Sequence, residues 1–372
     1  MWVGNSQQIS VSKVVADCSS VTSKQNCYIN RITGVVESRG LNDALDLLAG
    51  IYKADPDFGQ YCHFVSHALG QSAYAVFHKG GDLKLNDKTS YCGYGFYHGF
   101  MEALFATTHD FDEARAFCHY AGTVVPLPVG YAEGACYHGI GHGVTDGYDS
   151  SLWGDPAKMA APGLTLCQNV ATSSTWRYRC DSGVFNSIAI LFHDPKYKLN
   201  TNGNPFTLCD TASYDTEARE SCFDQMNTFA VYLAGGDLKR AIRFTTNIDD
   251  PHDRDIAIRG ITSYYIQDLK QRNQQLDLVT VVNVCGSLPV ALSETCIKGI
   301  VDGTGEFGTP GAQYADMKEI CDNSDLADNF KQICYNEIVS LAQMSYIHEN
   351  PGSVCLEIPD KYRAGACSFL SS

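Results

Sequence analysis

Cys136-Tyr-His-Gly-Ile-Gly-His-Gly143 puts two histidines and three glycines directly behind a cysteine. His138 and His142 are four residues apart, so on an α-helix both side chains lie on one face, one turn apart. The same spacing occurs twice more upstream, in the pairs His63 with His67 and His98 with Glu102. A cysteine stands close to each pair. Three such pairs in succession predict the ligand set of a metal site carried on three helices.

The segment that begins at Cys136 is one copy of a longer repeat. Similar segments begin at three other cysteines: Cys92-Gly-Tyr-Gly-Phe-Tyr-His-Gly99, Cys180-Asp-Ser-Gly-Val-Phe-Asn-Ser187 and Cys296-Ile-Lys-Gly-Ile-Val-Asp-Gly303. Each has a glycine three residues after the cysteine and a polar residue six residues after it. The cysteines at 285, 321 and 355 are 36 and 34 residues apart, a period typical of stacked helix-turn-helix units.

Between these segments, apolar residues at three- and four-residue spacing predict helices, for example over 41–52, 111–120 and 330–345. We therefore expect an all-α protein, an array of seven to eight disulfide-stapled helical hairpins that forms an α-solenoid or a closed α/α toroid. The periodicity favours neither of these two arrangements. The chain is expected to be a single helical-repeat domain over 1–372, with the metal-site repeats at about 58–150 and the remaining repeats at 151–372.

Sixteen cysteines are a high, even number for a chain of this length. None of them stands in a Cys-x-x-Cys motif, which argues against zinc ribbons, thioredoxin-type redox sites and c-type haem attachment. Their intervals instead predict eight sequential disulfides: Cys18–Cys27, Cys62–Cys92, Cys118–Cys136, Cys167–Cys180, Cys209–Cys222, Cys285–Cys296, Cys321–Cys334 and Cys355–Cys367. Such a set indicates an oxidising, extracytoplasmic compartment, so the protein is expected to be secreted, periplasmic or on the cell surface. The alternative, buried free thiols in a cytosolic protein, gives no reason for the matched intervals.

Composition narrows the choice of partners. The formal net charge is −15, which argues against a nucleic-acid backbone or an anionic membrane surface. No apolar run reaches the roughly eighteen residues that a membrane span needs. The segment Met1–Ser10 lacks the basic start and apolar core of a signal peptide, so we expect a mature form from which an export signal or anchor has been removed. A small-molecule substrate is the expected partner, and the oligomeric state stays open.

The predicted metal ligands come from three neighbouring helices: His63, His67, His98, Glu102, His138 and His142. Six ligands are too many for one tetrahedral zinc ion and suit a dinuclear centre or a single crowded octahedral ion. Imidazole and carboxylate donors suit iron, copper, zinc and manganese, whereas calcium prefers oxygen-rich loops. The cofactor is therefore expected to be a pair of transition-metal ions, with iron or copper preferred to zinc or manganese.

The repeat template adds three acidic candidates to Glu102, namely Asp146, Asp302 and Glu306. Glu102 lies ten residues after its repeat cysteine, and Asp146 lies at the same distance after the next one. In the last glycine-bearing copy, the places of the histidine and the glutamate are taken by Asp302 and Glu306, which are further candidate ligands. These two acids reach the histidines only if the helical array closes on itself.

In its ligand spacing, the sequence resembles three kinds of metal protein. His98-x3-Glu102 together with His138-x3-His142 is similar to the helix-borne ligands of hemerythrin-type di-iron sites. Ligands on successive helical repeats resemble the arrangement in the HEAT-repeat di-iron hydroxylases, and all-histidine helical pairs resemble type-3 copper proteins. The resemblance covers about 80 residues, from His63 to His142, and implies only a kind of coordination. The series of disulfides departs from the first two groups.

Three functions fit these predictions. The first, which we prefer, is a metalloenzyme with a dinuclear iron or copper centre that performs redox chemistry on a small molecule, in which Glu102 bridges the ions or acts as a base. The second is a zinc or manganese hydrolase, in which the metal lowers the pKa of a bound water and Glu102 or Asp146 takes its proton. The third is a non-enzymatic metal-binding or scaffold module that acts through a concave surface. Visible absorption or a paramagnetic signal from the native protein would favour the first.

Overall fold

The computed structural model describes residues 10–81, 83–125, 131–145, 147, 149–200, 203–309, 312–343 and 350–368. Within these ranges the regular elements are helices and no strand occurs, as the sequence predicts. The α-helices are α1 (Val11–Ser19), α2 (Lys24–Arg39), α3 (Leu41–Ala54), α4 (Cys62–His78), α5 (Gly95–Thr107), α6 (Phe111–Val124), α7 (Tyr131–Val144), α8 (Pro156–Val170), α9 (Ser174–Leu191), α10 (Thr216–Gln225), α11 (Asn227–Leu233), α12 (Leu238–Arg243), α13 (Pro251–Gln271), α14 (Leu278–Gly286), α15 (Val290–Phe307), α16 (Gln313–Asp322), α17 (Asp328–Gln343), α18 (Pro351–Glu357) and α19 (Asp360–Ala366). Short 3₁₀ helices lie at Phe58–Gln60, Asp87–Ser90, Ser150–Leu152, Pro195–Tyr197, Thr207–Asp210 and Phe244–Asn247. None of the helices described here combines the length and the apolar character that a membrane crossing requires.

Local sequence signals set where many of the helices begin. Asp110 accepts hydrogen bonds from the backbone N–H groups of Asp112 and Glu113 at the start of α6, and Asp250 caps α13 in the same way. Such caps satisfy N–H groups that the first turn of a helix leaves without a partner. The helices predicted over 41–52 and 111–120 are confirmed as α3 and α6.

All eight predicted disulfides are confirmed, and no described cysteine is free. Several of them join helices that follow one another in the chain, namely α6 to α7, α8 to α9, α14 to α15 and α16 to α17. Cys62–Cys92 links the start of α4 to the turn before α5. Eight disulfides are consistent with an oxidising, extracytoplasmic location.

One series of helices packs side by side through much of the chain. In order, α4, α5, α7, α9, α10, α13, α15 and α17 each contact the next. The glycines of the repeat lie in these contacts. A Cβ on Gly95 would lie 2.8 Å from the carbonyl oxygen of His63, and a Cβ on Gly139 would lie 2.6 Å from that of Tyr97. Because glycine has no Cβ, the motif lets neighbouring helices approach backbone to backbone.

Helices from the second half of the chain contact the first half. Asn273, just after α13, donates from Nδ2 to Asp57 Oδ1 at 3.0 Å, and α13 contacts the 3₁₀ helix Phe58–Gln60. At the end of α15, the ring of Phe307 lies against Gly93, a glycine that adjoins the ring of His63. These contacts bring α13 and α15 to the residues that flank α4.

Aromatic side chains pack on the sides of α5 and α7 that face away from the histidines. Phe100 stacks on Phe117 of α6 with ring centroids 3.8 Å apart. Tyr137 stacks on Trp176 of α9 at 5.5 Å, and both Tyr97 and Tyr137 are buried. This packing fixes the orientation of the two helices, and with it the direction in which their histidines point.

Candidate metal centre

The structure brings five of the predicted ligands together. His63 and His67 come from α4, His98 from α5, and His138 and His142 from α7. The five rings lie close to one another, with centroid separations of 5.0 Å for His67 and His98, 4.9 Å for His98 and His138, and 4.5 Å for His98 and His142. His98 and His142 are buried, and the other three are half-buried. The described residues contain two groups that could hold a metal ion, and His98 belongs to both.

The first group, His63, His67 and His98, has the geometry of ligands that share one ion. His67 Nε2 lies 3.1 Å from His63 Nε2 and 3.1 Å from His98 Nδ1. With metal–nitrogen bonds of about 2.0–2.1 Å, two nitrogen ligands of one ion lie ~3.3 Å apart in a tetrahedral site and ~2.9 Å apart in an octahedral one. The observed separations fall between these two values.

Outer hydrogen bonds assign the protons of two of these rings. His63 Nδ1 lies 2.7 Å from the carbonyl oxygen of Cys92, which can only accept, so Nδ1 carries the proton. His67 Nδ1 lies 3.4 Å from Glu102 Oε1, and Gln71 donates to the other carboxylate oxygen at 3.2 Å. A carboxylate behind a histidine is a common support of metal ligands. Both rings therefore present an unprotonated Nε2 inward, and these two lone pairs face each other at 3.1 Å.

In the second group, His138 is oriented by a serine. The ligand atoms of His98, His138 and His142 all lie within 4.8 Å of one another. His138 Nδ1 lies 2.7 Å from Ser182 Oγ, and Ser182 donates its own hydroxyl proton to the carbonyl oxygen of Arg179 at 2.7 Å. Ser182 Oγ therefore accepts from His138 Nδ1, which leaves Nε2 of His138 unprotonated and free to bind a metal ion.

His142 is held at both of its ring nitrogens. Nε2 lies 2.7 Å from Asn186 Oδ1, and Nδ1 accepts from Ser187 Oγ at 2.9 Å. Asn186 is itself oriented by Gln225, which accepts from its amide at 2.9 Å and donates to Asp224 at 2.7 Å. The His142 ring also stacks on His98 with only 21° between the planes, so the two in-plane lone pairs do not converge. The second group is thus less well arranged around one ion than the first.

Burial favours the neutral, metal-binding form of four of the histidines, namely His63, His98, His138 and His142. Desolvation lowers the pKa of His63 to about 3 and that of His142 to about 4. It also lowers the pKa of His98 and of His138 well below the usual range, with a further contribution from the neighbouring imidazoles. Burial alone would raise the pKa of Glu102, but the hydrogen bonds from His67 and Gln71 and the electrostatic interaction with these imidazoles together lower it. Glu102 is therefore ionised at neutral pH.

The predicted acidic residues lie outside the two histidine groups or outside the described residues. Glu102 contacts His67 and is not a member of either group. Asp146 lies outside the described residues. Asp302 accepts from Arg259 Nε at 2.7 Å, and burial raises the pKa of Glu306 to about 7.

The polar side chains that orient the histidines were not predicted from the sequence: Gln71, Ser182, Asn186, Ser187 and Gln225. A signal for two of them was available in the repeat. Ser182 and Asn186 lie two and six residues after Cys180, and His138 and His142 lie at the same distances after Cys136. Polar residues at matching positions of adjacent helices thus face each other across the contact between α7 and α9.

Comparison with known proteins does not assign the chain to a family. No family model matches the chain, and no curated protein sequence matches it significantly. The function of the chain is therefore inferred from the geometry of the histidine cluster.

Proposed function

We propose that this protein is a secreted metalloenzyme that holds two transition-metal ions in the five-histidine cluster and performs redox chemistry on a small molecule. One observation carries the proposal. His63 and His67 each have their outward nitrogen hydrogen-bonded to the protein, and their inward nitrogens meet at 3.1 Å. Two lone pairs at this distance repel each other, and a cation between them removes that repulsion.

The donor set supports copper ahead of iron. The ligand atoms that converge are all imidazole nitrogens, which suit copper and zinc, whereas di-iron sites of helical bundles use several carboxylates. The nearest carboxylate, Glu102, already accepts hydrogen bonds from His67 and Gln71. Its role in this proposal is to hold the His67 ring and raise its basicity, rather than to bridge the ions.

The zinc or manganese hydrolase is less well supported, because it needs a carboxylate to take the proton of a metal-bound water. Among the described residues, Glu102 is engaged with His67, and Asp302 is engaged with Arg259. A purely structural site is less well supported because the cluster reaches solvent. The His67 side chain is 20% exposed, that of Glu102 is 32% exposed, and the neighbouring Phe64 is 49% exposed. In this proposal a small molecule approaches the first group along this edge.

We also propose that the helical array closes into an α/α toroid and that 1–372 form a single domain. The hydrogen bond between Asn273 and Asp57 and the packing of Phe307 on Gly93 support closure, since they join the second half of the chain to the first. Closure would surround the histidine cluster with helices on all sides. It would also explain how Arg179 acts electrostatically on both His138 of α7 and Glu306 of α15.

The test of the proposed function is metal analysis of the full chain, expressed through an oxidising export route and purified without chelators. We expect about two transition-metal ions per chain and, for copper, a visible absorption band. The double variant His63→Ala/His67→Ala should lose most of this metal, whereas His252→Ala should not, because His252 is exposed and pairs with Glu220 away from the cluster. A content well below one ion per chain, equal in all three proteins, would overturn the proposal.

A further inference from the structure

His98 differs from the other four histidines in its hydrogen bonds. Each of the others has one ring nitrogen bonded to a group outside the cluster: His63 to the Cys92 carbonyl, His67 to Glu102, His138 to Ser182 and His142 to Asn186. In the described part of the chain, the only hydrogen bond of the His98 ring is with another histidine, His67. Because His67 Nε2 carries no proton, His98 Nδ1 donates to it in the metal-free protein, and no group outside the cluster holds the His98 ring.

His98 also occupies the centre of the cluster. Its ring centroid lies between 4.5 and 5.4 Å from those of the four other histidines, and the residue is only 6% exposed. It is the one histidine that belongs to both candidate groups. Its Nδ1 faces His67 in the first group.

These facts limit how two ions can be held. A ring nitrogen has one lone pair in the plane of the ring and binds one ion with it. If Nδ1 of His98 binds the ion of the first group, the second group can use His98 only through Nε2. The two nitrogens of an imidazole point in different directions, so each can face its own ion.

We propose that His98 is a bridging imidazolate between the two metal ions, with Nδ1 on the ion held by His63 and His67 and Nε2 on the ion held with His138. This inference rests on the proposed function and adds the arrangement of the two ions. Neutral imidazole has one lone pair and one N–H proton. The first ion binds Nδ1, whose proton moves to Nε2, and the second ion then replaces this proton, which is released to water. No oxidant or reductant is needed.

Charge balance supports the bridge. Two cations in a largely buried cluster need nearby negative charge, and Glu102 supplies only one unit. An imidazolate supplies a second negative charge at the point between the ions. With metal–nitrogen bonds of about 2.0 Å, the bridge places the ions ~6 Å apart. The first group should fill before the second, because its nitrogens already lie 3.1 Å apart, whereas His142 must first give up its bond with Ser187.

The experiment is a titration of the full, disulfide-bonded chain with Cu(II), followed by EPR. We expect the first equivalent to give the signal of an isolated Cu(II) ion with nitrogen ligands. The second equivalent should reduce the integrated signal, because an imidazolate couples the two unpaired spins. Two bound ions whose full EPR intensities add would overturn the bridge and leave the proposed function intact. Saturation at one ion would overturn both the bridge and the two-ion site of the proposed function. Absence of any tight copper binding would overturn the proposed function itself.

Rescue of a cavity variant separates a bridge from a merely structural histidine. In His98→Ala, added imidazole should restore the spin coupling, because it has two ligating nitrogens. Added 1-methylimidazole should bind a single ion and restore no coupling, because its second nitrogen is blocked. Equal rescue by both compounds would overturn the bridge. The near-UV circular dichroism and the count of intact disulfides should match those of the His252→Ala protein, which shows that the cavity variant is folded.

Discussion

Corresponding positions of the repeat carry different chemistry in the two halves of the chain. Six and ten residues after the repeat cysteine, α5 has His98 and Glu102, whereas α15 has Asp302 and Glu306. In the second half, Arg259 of α13 donates to Asp302 at 2.7 Å and to Glu337 of α17 at 2.9 Å. Two acids, the buried Glu337 and the half-buried Asp302, thus share a cation that belongs to the protein.

Among the described residues of the first half, no cationic side chain balances the histidine cluster in this way. There, the protein satisfies the outward nitrogens of His63 and His67 and leaves the inward ones opposed. The difference teaches that an inward-facing polar residue is a poor indicator of a site by itself. The better indicator is an atom whose electrostatic needs the folded chain does not meet.

The largest expected effect comes from removing the residue common to both groups. His98→Ala should lower the affinity for the first Cu(II) ion by a factor of about 100 or more and abolish binding of the second, because each ion loses a ligand. Competition with a chromophoric chelator measures both affinities. Asp302→Asn is the matched control at the corresponding position of α15 and should bind copper like the native chain. If the two variants lost copper equally, the contrast between the halves would be wrong.

A stability measurement tests the second half. Arg259→Ala leaves the carboxyl groups of Asp302 and Glu337 without their shared cation, which should lower the free energy of unfolding by about 2 kcal/mol. This value is below that for a fully buried pair, because the Arg259 side chain is 46% exposed and partly screened by water. Urea unfolding with intact disulfides gives the change. Copper content should not change, and a loss of copper would show that α13 and α15 take part in the metal site.

A smaller effect is expected from the support of His67. Glu102→Gln keeps the size of the side chain but removes the negative charge behind the ring, so first-site affinity should fall about tenfold. Glu220→Gln provides the control, since this glutamate pairs with the exposed His252. A loss of a thousandfold or more would mean that Glu102 is itself a ligand, as the sequence first predicted.

The smallest effect should be that of mild acid. Ordinary histidines compete with protons for metal below a pH of about 6.5, and a three-histidine site then loses affinity steeply. Because burial lowers the pKa of His63 to about 3 and that of His98 well below its usual range, protons compete with the metal at these two rings only in stronger acid. Two of the three ligands of the first site thus stay free of protons between about pH 8 and pH 5.5, so its affinity should fall far less than that of a site made of three ordinary histidines. Isothermal titration at several pH values checks this, and a fall of more than tenfold would contradict it.

Much of the fold could be predicted because its signals are local. Matched cysteine intervals predicted the pairing, and apolar periodicity predicted helices such as α3 and α6. The histidine pairs were also local, since four-residue spacing fixes one face of a helix. Hydrogen bonds and ion pairs between side chains on different helices could not be predicted in this way. Arg259 meets Asp302 across 43 residues, and no spacing rule connects them.

The role of Glu102 shows the same limit. Its position one turn after His98 predicted a shared face, but it did not reveal that His67 of α4 would stand between the carboxylate and the converging nitrogens. Ser182 and Asn186 could have been found only by aligning the α9 segment with that of α7 and asking what faces the histidines.

The glycines of the repeat have a consequence for how this scaffold can change. A Cβ on Gly99, Gly183 or Gly303 would overlap the carbonyl oxygen of His67, His138 or Ser263 on the preceding helix. Helix spacing at these contacts is thus set by backbone against backbone, and disulfides tie several of the helices to their neighbours. The side chains that point inward contribute little to that spacing. Inward residues can therefore be replaced while the backbone arrangement of the helices stays the same, and new chemistry can arise in this way.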